Sequence, residues 1–184
     1  MDSHTTKITS IQQLVEELKN VKTEREYKKL VKRLEIPLSD YEPYAHFSQE
    51  KYTRNCIART DDFELILLCW EEGQVTPVHC HNNQECWVYV VKGEFDEQRF
   101  VESEDQDEVI EFEEELQLEE DGISYMNDDM GYHSLENIND GRSMSLHLYM
   151  NPIDECNIFN ETTEEFEKKV MVYHSYEGKL LQNA

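Results

Sequence analysis

Gly73-Gln74-Val75-Thr76-Pro77-Val78-His79-Cys80-His81-Asn82-Asn83-Gln84-Glu85-Cys86-Trp87-Val88-Tyr89-Val90-Val91-Lys92-Gly93 is the stretch on which the reading of this chain turns. Two histidines at i and i+2 on a strand project from one face, because successive side chains alternate sides, so His79 and His81 can reach one metal ion. The same alternation predicts that Cys80 points to the other face as inert packing. Glu85 to Val91 is β-branched and aromatic, and Lys92-Gly93 supplies a turn. A third imidazole is available downstream at His133.

Working outward, short β-rich runs recur at Tyr52 to Ala58, Phe63 to Trp70, Glu85 to Val91, Glu94 to Phe100, Ser124 to Met126, Tyr132 to Glu136, Ser143 to Met150 and Val170 to His174. Many short strands at near-regular spacing predict a sandwich or barrel, and no internal repeat is present. The N-terminal part has a different period. Ser10 to Gln13 and Thr23 to Glu26 read as capping boxes. Behind them, Ile11, Leu14, Val15, Leu18 and Val21, then Tyr27, Leu30, Val31 and Leu34, recur at helical spacing. Residues 10 to 35 are therefore expected to form a helical pair ended by Pro37.

The 184 residues suit one folded unit, with a helical segment at 1–45 packed on a barrel at 46–184. Forty-one acidic against 17 basic residues give a formal charge of −24, which disfavours nucleic-acid and anionic-membrane partners. The acid-dominated segment 102–121 is expected to be a solvated hairpin with an exposed loop, since charge runs are usually solvated faces. The start, MDSHTTKITS, lacks the pattern of a signal peptide, and no run of eighteen apolar residues occurs. Five cysteines without a CxxC pair argue against a disulfide framework and for a reducing compartment. A cytoplasmic monomer is the expectation.

Gly73, His79, His81, Cys86 and Gly93 keep the spacing of the first motif of the cupin barrel, with Cys86 where most cupins carry a ligating glutamate. Gly131-Tyr132-His133-Ser134-Leu135-Glu136-Asn137 matches the end of the second motif, so the chain resembles a cupin. The fold implied is mainly β, a small jelly-roll barrel with the N-terminal helical pair added. The bland alternative is three hydrogen-bonded structural histidines on polar strand ends. Shifting the motif by one residue would make Glu85 a fourth ligand, but the spacing back from Gly93 favours Cys86, and alternation cannot face both inward. Neutral imidazoles would leave a metal its full charge and open positions; ligand type does not choose between zinc and iron.

Tyr52-Thr53-Arg54-Asn55, the HxH with Cys86, Gly131-x-His133 and Ser145-Leu146-His147-Leu148-Tyr149 together resemble the cysteine dioxygenase family, from about Tyr44 to about Gly178. The resemblance implies a mononuclear non-haem Fe(II) enzyme, one iron per chain and no organic cofactor, that oxidises L-cysteine with O2 to cysteine sulfinic acid. It implies His79, His81 and His133 as iron ligands, Arg54 as the partner of the substrate carboxylate and Tyr52 as a residue closing the pocket. A planar guanidinium matches a carboxylate at two points; without the surrounding motif, Arg54 would read as a surface or salt-bridge arginine.

Ser145, His147 and Tyr149 alternate with Met144, Leu146 and Leu148, a pattern that by itself reads as a half-buried strand with its polar side to water. The resemblance instead makes that face the site. Tyr149 would stand near substrate and O2, His147 would hydrogen-bond to orient it, and Ser145 would stand behind them without touching the substrate. Cys86 and Tyr149 match the pair that forms a thioether crosslink in relatives resembling the animal enzymes. Cys156 resembles a cysteine near the family's active-site entrance. The Ser-Pro pair that follows the tyrosine in many relatives is Met150-Asn151 here, with Pro152 one place later, which leaves no sequence basis for a cis proline directly after Tyr149. Three rival functions remain at this point. One is a 3-mercaptopropionate-type dioxygenase, whose relatives usually have glutamine in place of Arg54. The others are a non-catalytic ligand-binding cupin and a zinc-dependent isomerase or epimerase using Glu85.

Overall fold

A computed structural model describes residues 6–104 and 109–182. Helix α1 spans Ile11–Leu18 and α2 spans Glu24–Val31, the expected pair. Their start signals differ in detail. Thr23 and Glu26 form the full reciprocal box, whereas Ser10 Oγ accepts from Gln13 N at 3.1 Å and the Gln13 side-chain oxygen reaches back to Thr9 N instead. Helix α2 stops at Val31, short of the expected end at 35 and well before Pro37, and Leu34 instead bridges Ile8; Pro37, with its fixed φ, precedes a short helix α3, Leu38–Tyr41.

Twelve strands follow among the described residues. The large sheet holds β1 (Thr53–Arg59), β2 (Glu64–Trp70), β3 (Cys86–Lys92), β6 (Ile123–Met126), β8 (Ser143–Tyr149), β11 (Ser175–Tyr176) and β12 (Lys179–Leu180), in the order β12-β11-β1-β2-β8-β3-β6. A three-stranded sheet, β5-β4-β7, is made by β4 (Phe95–Glu102), β5 (Ile110–Leu118) and β7 (Tyr132–Asn137). A hairpin of β9 (Glu155–Asn160) and β10 (Glu165–Val170) completes the set. The two larger sheets close on each other as a cupin barrel.

Alternation on β2 explains how the large sheet is buried on both faces. All seven residues of β2 are buried. Leu65, Leu67 and Cys69 pack outward with Met144, Leu146 and Leu148 of β8 against Leu14, Leu18, Tyr27 and Leu30 of the helices. Ile66, Leu68 and Trp70 face the barrel interior with Val88, Phe95, Leu118 and Leu135. The helices thus cover one face of the sheet, and truncating a fully buried leucine there, such as Leu18, removes about 2–5 kcal/mol. Ser145, His147 and Tyr149 are buried, on the face of β8 turned into the barrel rather than to water.

Two strand expectations need correction. The strand expected at Val170 to His174 is displaced: β10 ends at Val170, and regular pairing resumes only at Ser175. Its residues Glu165 to Val170 are mostly exposed and charged, so they lack the apolar alternation by which strands are found. β9 escapes a sequence reading for the same reason of half-exposure. His79 to His81 do not form a regular strand; His79 makes isolated bridges to His133 and Ile158, and Cys80 N donates to Asn157 O. The acidic hairpin is present as β4 paired with β5, the glutamates of β5 exposed, while residues 105–108 of the expected loop lie outside the described residues. Every described peptide bond is trans.

Candidate metal centre and substrate pocket

His79, His81 and His133 come from two places far apart in sequence and meet in the barrel, with one ligand-capable atom of each within 4.8 Å of the others. The bridge between His79 and His133 fixes the backbones side by side, each N–H donating to the other's carbonyl at 3.0 and 3.1 Å. His79 Nδ1 sits 2.9 Å from Pro77 O, and His133 Nδ1 sits 2.8 Å from Glu97 Oε1, so both rings turn Nε2 inward. His81 Nε2 and His133 Nε2 are 3.1 Å apart. Two nitrogens bound to one ion at about 2.1 Å and at right angles lie about 3 Å apart, so the donor set fits a metal. Burial, then the charge of His133, holds His79 neutral down to about pH 3, and burial pushes His81 well below its ordinary value. Neutral imidazole is the form that ligates.

Cys86 and Tyr149 are directly opposed in the β3–β8 ladder. The thiol and the phenol influence each other, and both are driven above their ordinary values mainly by burial. Glu85 turns the other way, toward Tyr125, Glu24 and Lys28, and is outside the histidine cluster. Arg54, on β1, enters the same cavity as the three histidines, His147 and Tyr149. Its Nε and Nη2 are buried and have no hydrogen-bond partner among the described residues. Those two N–H groups form the side-on fork of a guanidinium, the edge that takes a carboxylate at two points.

Residues 2–162 match the family described as Cysteine dioxygenase type I. The chain belongs to that family. It is 32% identical to Cysteine dioxygenase type 1 of Homo sapiens over 161 residues, covering 86% of this chain and 80% of the human protein. Against Cysteine dioxygenase type 1 of Bos taurus, identity is 34% over 143 residues, 76% of this chain and 71% of the bovine protein. Among solved structures, TT1209 from Thermus thermophilus superposes with a TM-score of 0.50 at 19% identity, covering 61% of this chain and 94% of that one, a likeness of fold. The family resemblance carried by the four motifs is borne out.

Within this cysteine dioxygenase family member, the polar face of β8 is wired differently from expectation. His147 Nε2 lies 2.9 Å from Ser145 Oγ, and its ring centroid is 6.3 Å from that of Tyr149. Its Nε2 is therefore paired with Ser145, its neighbour two residues back on the same strand face. Trp70 Nε1 donates to Ser145 Oγ at 3.0 Å, so the serine oxygen joins the indole to the His147 ring. Burial is the main cause that holds His147 well below its ordinary value. Cys80, between the two histidines on this irregular stretch, is among the residues at the cavity wall and is buried. Cys156 lines the same cavity, its thiol pushed up by burial.

The supporting residues are not legible in the motifs. Asp128 accepts from His81 N and Asn83 N, both at 2.7 Å, and so pins a loop in which Asn82 and Asn83 adopt φ of 53° and 61°. Asn tolerates that region better than most residues, and Asn82-Asn83 is the available signal. Glu64 is fully buried beside Arg54, bonded to Ile153 N and to Arg59, with its carboxyl raised mainly by burial. Tyr52 stacks on Trp70 with centroids 4.7 Å apart and lines the cavity next to Arg54. A cleft of about 470 Å³ adjoins the cavity through Tyr52, Arg54, Pro77, Lys169 and Met171, and Lys51 adds a second amine to its wall. No helix among the described residues is long and apolar enough to cross a membrane.

Proposed function

We propose that this chain is an iron-dependent thiol dioxygenase that oxidises L-cysteine with O2 to cysteine sulfinic acid. The observation that carries the reading is the unmet Nε/Nη2 edge of Arg54 in one cavity with three converging imidazoles. Both oxygen atoms of O2 enter the sulfinate, so no outside reductant is required. One iron held by His79, His81 and His133 supplies the redox chemistry joining thiol and O2, which redox-silent zinc does not offer.

The protein's own contribution is to bind, orient and exclude. Arg54 takes the substrate carboxylate, which an otherwise strongly acidic chain would repel. That contact fixes the carboxylate end, so the sulfur of a three-carbon amino acid is held in the same cavity as the histidines. Tyr52 closes the pocket on that side. Leu68, Leu135, Ile153, Ile158 and Met171 keep water from the reacting atoms. Tyr149, with its phenol held protonated by burial, acts as a hydrogen-bond donor toward substrate and O2 and not as a base. Ser145 and Trp70 hold His147 at the cavity wall. Cys86 and Tyr149 join as a thioether: the sulfur bonds to the tyrosine ring, and the thiol and ring hydrogens with their two electrons pass to O2, which leaves as H2O2. The link lowers the entropy cost of fixing the phenol.

The test is oxygen consumption by the Fe(II)-loaded protein with L-cysteine and with 3-mercaptopropionate. A higher kcat/KM for L-cysteine, with sulfinate formed in step with O2 used, is the expected result. A higher value for 3-mercaptopropionate would overturn the substrate assignment.

A further inference from the structure

The three histidines are held from behind in unequal ways. His79 Nδ1 meets a backbone carbonyl, His81 Nδ1 is buried with no partner among the described residues, and His133 Nδ1 meets a carboxylate. That carboxylate, Glu97, is fully buried and lies on the inward face of β4 between Phe95 and Arg99. Its second oxygen accepts from Ser124 Oγ. Arg99 Nε lies 3.5 Å from the first, within ion-pair range but without hydrogen-bond geometry. Arg99 is itself held by Glu114, Ser124 Oγ and Tyr125 O.

Burying a carboxylate is costly, and an apolar residue would fill the β4 position at lower cost. The ligand set gives a reason to keep it. Three neutral imidazoles bring no negative charge to a cation in a cavity that already contains Arg54. The other fully buried acid, Glu64, faces Arg59 and Ile153 N instead of a histidine. We propose that Glu97 is the positioning residue of the metal centre, fixing His133 as the Nδ1–H tautomer and supplying, one imidazole away, the negative charge that the ligand set lacks. The inference rests on the metal-binding reading and deepens it. A carboxylate hydrogen-bonded behind a ligating histidine orients the ring and raises its basicity. His133 thereby becomes the strongest donor of the three, and Ser124 and Arg99 set the angle at which Glu97 meets it.

Glu97→Gln separates charge from hydrogen bonding. Arg99 and His133 both present donors to the first oxygen, whereas a serine hydroxyl can turn to accept. The glutamine amide therefore places its nitrogen toward Ser124 and keeps a neutral acceptor for His133. Metal affinity is read by competition with a chelator, using Co(II) and, without oxygen, Fe(II), together with the Co(II) visible spectrum and the His133 tautomer from two-bond 1H–15N NMR of the metal-free protein. Wild type is expected to bind one ion per chain with His133 protonated at Nδ1. Glu97→Gln is expected to bind about 10–100-fold more weakly, with an altered Co(II) spectrum and an unchanged circular-dichroism spectrum. A purely structural role would shift thermal stability and leave the affinity and the spectrum of the folded protein in place. An affinity within about twofold of wild type, or a wild-type His133 protonated at Nε2, overturns the proposal. Failure of the wild type itself to bind metal overturns the underlying reading instead.

Discussion

Replacing Arg54 with alanine tests how the pocket chooses its substrate. The side chain offers two buried N–H groups with no partner among the described residues, so a bound carboxylate would gain two charge-assisted hydrogen bonds in a dry cavity. Each such bond is worth about 1.5–3 kcal/mol, which makes the loss about 3 kcal/mol or more and the fall in kcat/KM at least roughly 100-fold. The assay compares L-cysteine with cysteamine, which keeps the thiol and amine and lacks the carboxylate. Wild type should prefer L-cysteine by that factor, and Arg54→Ala should bring the two substrates to within a few-fold by losing activity on L-cysteine only. Arg54→Lys should recover part of the preference, since an ammonium restores charge without the two-point fork. An Arg54→Ala protein that keeps the wild-type preference would refute the reasoning, because the carboxylate would then be bound elsewhere.

Three further outcomes follow from the geometry. The mass of active wild-type protein should be lower by two hydrogens than its sequence requires, and that deficit should vanish in Cys86→Ala; a full-mass, fully active wild type would remove the thioether that the opposed Cys86 and Tyr149 suggest. Gly131→Ala should destabilise by about 1–3 kcal/mol or more in urea unfolding, since φ is +90° and a Cβ there would overlap the Phe100 carbonyl oxygen; Gly141→Ala, with nothing within 4 Å, should cost less, and equal losses would contradict the packing argument. Burial holds His79, His81 and His147 neutral in the metal-free fold, whereas in the unfolded chain each takes a proton near 6.5. The unfolded state then binds more protons below that pH, so stability should fall as pH drops from about 6.5 toward 3, by up to about 1.4 kcal/mol per unit for each histidine. Glu64, raised by burial, works in the opposite direction above its ordinary value of 4.5. Equal urea midpoints for the metal-free protein at about pH 7 and about pH 5.5 would refute the assignment.

What the sequence made legible was what local patterns encode. The Thr23–Glu26 box, the alternation along β8 and the pairing of His79 and His81 with His133 each follow from side-chain periodicity or motif spacing, and the structure assembles them as expected. Glu97 stayed hidden because an acid on an alternating strand reads as an outward residue; only its place two residues from buried Phe95 marks it as inward. The His147 contact with Ser145 was missed because hydrogen bonding depends on how the Trp70 and Tyr149 rings lean, which strand spacing does not encode. Charged β10 gave no apolar signal at all.

The central claim is that three neutral histidines hold a redox-active ion where a thiol and O2 react. The most direct measurement is to strip the protein of metal, restore it without oxygen using Fe(II) or Zn(II), add L-cysteine and O2, and quantify bound metal, oxygen consumed and cysteine sulfinate formed. The account predicts one iron per chain, sulfinate formed in equal amount to O2 consumed, and no turnover with zinc. Turnover restored by zinc and not by iron, or stoichiometric cysteine binding to the iron form without sulfinate, would contradict it.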